Sequence, residues 1–415
     1  MFEFGRDLRK LFEKARESED LGWLELVGAD LVQTEARREG IDAGRVSAKS
    51  PFDGWMRSSV LWREHARRTG SRISLERAAV AASDAARHTT SLDQTAAAAI
   101  ESGNIHLLRF DLFGGPAALT AALSDVQVLT CERAATRSAA AALHARLSAR
   151  KARLSGETSA LLDAGALLDA AVHDARSLPP TVADELRLDR AATSLEAGVI
   201  RRDARMLDQA GRDLRALVEA ASPDQRPLTR ARALALAGTG LAALAALAKN
   251  ETALAQGRAM FYAAAEQFTP DHSPLDWAAV LLAAANRDTP LLTLAQAEAL
   301  TREPGLLIGA LLRERRLSAE VALAEAMGDV QALNGLEAVI HRRLTQPGRT
   351  QPLDWAADQI GIAQLFLARA RLTGVEARSV GLILAEAMET AREQGATALH
   401  DRAVLAMPET VKNRS

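Results

Sequence analysis

At 415 residues the chain is longer than one compact core usually grows, which leaves two domains or an elongated array. Hydrophobic residues make up 48% of it but aromatics only 4%, and alanine-rich stretches such as Ala134 to Ala142 and Ala242 to Ala248 suit closely packed helices, so an all-α fold is expected. A balance of 51 basic against 53 acidic residues excludes a general pull toward nucleic acid; the single cysteine, Cys131, excludes an internal disulfide and points to a cytoplasmic protein with an inert thiol in a helical run.

Residues 1–20, MFEFGRDLRKLFEKARESED, carry charge where a secretory signal needs an apolar core. Gly5 to Asp20 and Gly22 to Glu39 read as a helical pair. Phe2, Phe4, Leu8, Leu11 and Phe12 give the first helix an apolar face beside Arg6, Arg9, Lys10 and Lys14. That face is a candidate to seat on a partner or, peripherally, on an anionic membrane; packing against the following Trp23 helix is the simpler account. Gly40 to Asp53 reads as a loop before a helix from Trp55 to Arg68, on which Trp55 and Trp62 share a side. Helices are expected over Leu75 to Arg87 and Leu92 to Glu101, the latter interrupted at Ser102-Gly103-Asn104. A stronger break at Phe113-Gly114-Gly115-Pro116 bounds a first helical region, 1–116.

Ala117 to Leu154 reads as one long helix or two joined ones. Ser155-Gly156-Glu157, Leu178-Pro179-Pro180 and Ser222-Pro223-Asp224 then punctuate a central helical-repeat region, 117–268, in pieces suited to helical hairpins. The apolar run Leu234 to Leu247 is too short for a usual membrane span, and no transmembrane segment is expected. Turns at Thr269 to Pro274, Asp288 to Pro290, Glu303 to Gly305, Gln346 to Pro352 and Thr373-Gly374 divide a C-terminal region, 269–407. Pro408 to Ser415 reads as a polar tail.

One helix opening occurs twice in that last region, as Pro274-Leu275-Asp276-Trp277-Ala278-Ala279 and as Pro352-Leu353-Asp354-Trp355-Ala356-Ala357. Proline begins the helix, aspartate complements its first turn, and tryptophan supplies a wedge against a neighbouring hairpin. The tryptophans lie 78 residues apart (277 to 355), slightly more than two hairpin repeats. The second copy, continued through Gln359, Ile362, Ala363 and Leu365 and, after Thr373-Gly374, by Val375 to Arg392, resembles a tetratricopeptide repeat. Trp355 takes that family's first signature position, Gln359 and Ile362 the following inward ones, and Ala363 stands where glycine is commoner. Ala385 is the candidate small contact between paired helices. The first copy keeps Trp277 and Leu281. The resemblance implies an irregular right-handed α-solenoid of antiparallel hairpins whose concave face binds an extended peptide or a helix, with self-association or grooves filled by the chain itself left open.

Little in the sequence points to chemistry. The eight histidines, His65, His88, His106, His144, His173, His272, His341 and His400, form no metal-ligand spacing. Gly238-Thr239-Gly240 lacks the rest of a phosphate loop and reads as a close helix contact or a bend. No Gly-x-Ser-x-Gly elbow occurs, and the acidic pairs suit helix starts. Arg313, Arg315 and Arg316, together with His341, Arg342 and Arg343, could meet in a basic groove for an acidic peptide; a solvated face is the alternative. Arg313, Arg316, Arg342 and Arg343 therefore join Phe4, Leu8, Leu11 and Phe12 as candidate partner-binding residues. Trp277, Trp355, Gln359, Ile362, Ala363 and Ala385 are expected to pack the repeat. No catalytic residue, metal or cofactor is assigned, and specific nucleic-acid binding is not expected. The expected function is a cytoplasmic adaptor or scaffold that binds a protein or peptide. The alternative is an enzyme, or a self-assembling structural protein, with a site between non-consecutive helices.

Overall fold

A computed structural model describes residues 21–285, 289–346, 351–377 and 379–407. The expected helix over residues 5–20, with Phe4, Leu8, Leu11 and Phe12, lies outside the described residues. Among the described residues every regular element is helical. Contacts group the chain into two compact units: Met1–His65, Ile73–His106 and Leu119–Ser273 form unit 1, and Ala66–Arg72, Leu107–Ala118 and Pro274–Ser415 form unit 2.

A short 3-10 turn, Leu21–Leu26, precedes α1 (Ala29–Ala43), where a single helix from Gly22 was expected. α2 (Pro51–Thr69) begins within the expected loop, because proline has no N–H to leave unbonded in a first helical turn. α3 (Arg72–Arg87) and α4 (Leu92–Phe113) follow. Contrary to expectation, α4 runs unbroken through Ser102-Gly103-Asn104. A Cβ on Gly103 would stand 2.6 Å from Leu143 Cδ2, so this glycine serves a close helix approach rather than a break. α5 (Pro116–Gln127) and α6 (Ala134–Ser155) divide the long alanine-rich stretch. Cys131 lies in their connection and not in a helix. Burial raises its thiol pKa and the Asp93 carboxylate adds to the effect, which disfavours the reactive thiolate.

From α6 onward unit 1 is a series of matched hairpins. α6 pairs with α7 (Thr158–Asp174), α8 (Pro180–Arg201) with α9 (Ala204–Ala220), and α10 (Pro227–Ala248) with α11 (Glu251–Gln267). Each first helix has 22 residues and each second helix 17. The repeat advances by 46 and then 47 residues (134 to 180 to 227), longer than the roughly 34 of a tetratricopeptide repeat. Buried positions keep this register. Leu161, Ala164, Leu168 and Ala171 on α7 become Leu207, Ala210, Leu214 and Leu217 on α9, and the last three become Gly257, Phe261 and Ala264 on α11.

Each of these first helices ends in a left-handed residue: Gly156, Arg202 and Lys249, with φ of 65°, 54° and 51°. After Arg202 and Lys249 the next residue serves both helices. Asp203 donates its N–H to Gly198 O, and its carboxylate accepts from Arg205 N and Met206 N; Asn250 donates to Ala245 O and accepts from Ala253 N. α10 is the one described helix long and apolar enough to cross a membrane. It packs on α9 and α11, and its Gly238 lies so near Gly257 that a Cβ on either would come within about 3 Å of the other's carbonyl oxygen. The expected close contact at Gly238-Thr239-Gly240 is thus found, without a bend.

Unit 2 continues with α12 (Pro274–Ala284), α13 (Leu291–Leu300), α14 (Leu307–Ala326), α15 (Val330–Leu344), α16 (Pro352–Thr373), α17 (Val380–Glu393) and α18 (Thr397–Ala406). Both copies of the repeated opening start helices, and the 78 residues between them hold two helix pairs. Leu275 and Leu353, and Ala278 and Ala356, are buried. Trp277 and Trp355 are half-buried wedges against their respective cores. Ala363 is buried among α14, α16, α17 and α18, Ile362 packs with Leu317 and Ile340, and Gln359 is half-buried. The glycine of this helix is Gly361, where a Cβ would meet Leu317 Cδ1 at 2.9 Å. Ala385 is exposed and not the expected contact: Leu384, Ala387 and Ala391, at three- and four-residue spacing, form the buried face of α17.

Two predictions follow from these joints. Arg202→Gly and Lys249→Gly should each stabilise the protein by roughly 0.5–1 kcal/mol, and Gly156→Ala should destabilise it by about 1 kcal/mol, measured by urea unfolding. The second concerns Asp189, which ties α8 to Arg146 and Arg150 of α6 at 2.7 Å each. Burial alone would raise its carboxyl pKa, but Arg150 and Arg146 bring it down to about 2. A depressed folded-state pKa contributes stability above the unfolded value near 3.8 that is lost as pH falls toward about 2. Thermal melts of Asp189→Asn should therefore show a shallower fall in stability across that window than the wild type.

Candidate functional site

α1, α2 and α3 enclose a groove of about 660 Å³ in unit 1. Two adjacent serines of α2 fix its walls: Ser58 donates to Ala36 O of α1 and Ser59 to Ala78 O of α3, each at 2.9 Å. Trp55 and Trp62, one face of α2 as their spacing predicts, form the floor. Trp62 is only 5% exposed. Gly40 lets α1 approach, since a Cβ there would meet Ser58 Oγ at 3.1 Å and the Trp55 ring at 3.4 Å.

The rim is apolar and open. Ile41, Ile73 and Val80 are 64%, 60% and 62% exposed, and Ile73 and Val80, seven residues apart, line one side of α3. Arg37 and Arg77 reach over Trp62 from opposite walls, their guanidinium carbons 6.0 and 4.8 Å from the ring centroid. A guanidinium placed near a ring without an ion-pair partner keeps its N–H donors available to a carboxylate. Neither arginine has an ion-pair partner among the described residues; Asp84 on the rim is bound by Arg87, and Glu76 stands beside Arg77.

Two other clefts in unit 1 share this plan of one first helix flanked by two second helices, but not its chemistry. In the cleft over α8, Arg190 is claimed by Asp169 at 2.8 Å and Asp213 at 3.3 Å, and Arg187 by Asp184 at 2.9 Å. The cleft over α6 has no aromatic side chain in its lining: Leu123 and Leu167 stand there among Ser124, Gln127, Ser148, Lys151 and Ser155. Of these three clefts, the α1–α3 groove alone combines an aromatic floor, an exposed aliphatic rim and arginines without an ion-pair partner among the described residues.

The arginines proposed from the sequence stand elsewhere, in unit 2, and the chain supplies their carboxylates. Arg313 pairs with Asp354 at 2.9 Å and Glu298 at 3.7 Å, Arg316 with Glu298 at 2.5 Å and Glu320 at 2.9 Å, and Arg343 with Asp358 at 2.5 Å. Glu298 thus joins Arg313 to Arg316, whereas Arg342 is exposed and makes no such pair among the described residues. Burial raises the Asp358 carboxyl pKa despite Arg343 and Arg313 beside it, and Asp354 adds to the rise. These side chains form an internal network rather than a vacant basic groove. Composition signalled the arginines but not their partners. It missed Arg37, Ile41, Ile73, Arg77 and Val80, although Ile73 and Val80 repeat the seven-residue spacing of the two tryptophans.

The contrast predicts unequal losses. Asp354→Ala leaves Arg313 only its longer contact with Glu298 and removes the acceptor of the Gly305 N–H, 2.9 Å away, so unfolding should cost on the order of 2 kcal/mol less. Arg342→Ala should stay within about 0.5 kcal/mol of wild type in the same urea titration. Among known proteins, no family model matches this chain, and no curated protein matches it.

Proposed function

We propose that the chain is a non-catalytic, cytoplasmic adaptor or scaffold, a TPR-like helical-repeat protein that holds a segment of a protein partner in the α1–α3 groove. The observation that carries this reading is the pair of tryptophans with Ile41, Ile73 and Val80 around them, in walls held by two serine-to-carbonyl hydrogen bonds. Binding energy in protein interfaces concentrates in a few aromatic and arginine anchors set in a preformed, desolvated pocket, and this groove offers both residue types.

Affinity capture with Ile73→Asp/Val80→Asp tests the assignment, with Val128→Asp as an exposed control outside the groove. A stoichiometric partner retained by wild type and by Val128→Asp, and reduced about tenfold or more by the groove variant, is the expected outcome. Retention of that partner by a groove variant that melts like wild type places binding elsewhere and overturns the assignment.

A further inference from the structure

We infer that the occupant of the α1–α3 groove is an acidic, amphipathic peptide segment: an aliphatic or aromatic anchor on the tryptophan floor, flanked by carboxylates that engage Arg37 and Arg77. The inference rests on the groove being a protein-binding site and adds the chemistry of what enters it. Charge complementarity carries it. Arg37 of α1 and Arg77 of α3 lie near the buried Trp62 ring and have no ion-pair partner among the described residues. Elsewhere in unit 1, arginines that line a comparable cleft are met by the chain's own aspartates.

The geometry sets the ligand pattern. An anchor over Trp62 lies between the two guanidinium groups, so carboxylates on both sides of it, in one helical turn or two extended steps, can be bound together. Glu76, beside Arg77 on the rim and without an ion-pair partner among the described residues, disfavours further acids at that edge. It thereby limits the acidic positions to those near the anchor. A basic peptide would bring its cations against Arg37 and Arg77.

The test is a selection from a displayed library of random peptides on the full chain, with the pool counter-selected on Ile73→Asp/Val80→Asp. The expected pool carries a large apolar residue with two or more Asp or Glu within four positions. Synthetic members should bind about tenfold or more weakly to Arg37→Gln/Arg77→Gln, and should weaken further as salt rises. Changing their acids to amides should cost the same factor on wild type and nothing further on the arginine variant. That variant should melt with wild type, because both side chains are exposed. A groove-dependent pool that is neutral or basic, or one insensitive to the arginine change, overturns the acidic assignment and leaves the groove as a binding site. A selection that yields no groove-dependent peptide overturns both readings. A dimer in sedimentation that Ile73→Asp/Val80→Asp dissolves identifies a second copy as the occupant and overturns the acidic-peptide proposal.

Discussion

Two residues at the tip of a hairpin set the geometry on which the rest depends. At three of the joints the chain takes one left-handed residue and then an Asp or Asn: Arg202-Asp203, Lys249-Asn250 and, in unit 2, Gly328-Asp329. The acidic or amide residue closes the first helix with its N–H, to Gly198, Ala245 or Ala324, and starts the next with its side chain. One short joint thus satisfies orphan groups of two helix ends and leaves almost no freedom in the turn. Antiparallel pairs of fixed register follow, and the buried faces of the second helices can repeat at 46- and 47-residue steps.

Electrostatics then separates surfaces that are finished from the one that is not. Glu314 is fully buried, yet it accepts from Gln364 at 3.0 Å and from two nitrogens of Arg402 at 2.7 and 3.2 Å. Asp189 and Asp354 are likewise bound by arginines of neighbouring helices. A charge removed from water persists only with such partners, so these groups lock helices together and offer nothing to a ligand. Arg37 and Arg77 instead lie near the Trp62 ring, with no carboxylate of the described residues paired to them.

Much of the architecture was legible because alanine content, proline starts and glycine stops act locally. Pro274 and Pro352 begin helices as read, and the breaks at Gly114, Gly156 and Gly374 fall where glycine marks them. The joints at Arg202 and Lys249 were hidden, since a basic residue in left-handed conformation leaves no compositional mark, and with them went the long repeat. Gly103 misled in the opposite sense: inside a helix it serves close packing, as Gly361 does, which depends on a neighbour distant in sequence. Ala385 failed by register, one position beyond buried Leu384. The groove was half legible. The spacing of Trp55 and Trp62 placed them on one face, but the residues across from them come from α1 and α3, and only folding brings those together.

With so few aromatic side chains, their placement decides where a ligand can gain area. Alanine and glycine let helices of unit 1 approach until a Cβ would clash, as at Gly238 and Gly257, and such contacts leave little depth between helices. A cleft floored by small side chains offers a partner few contacts per residue, whereas an indole buries a large face at small entropic cost. Gly40 and Gly44 let the chain of α1 close on the Trp55 ring, and Arg37 and Arg77 lie near the ring of Trp62. The same bulk that would disrupt a tight alanine contact therefore creates the recess, sets the position of its charges and leaves Ile41, Ile73 and Val80 exposed around it.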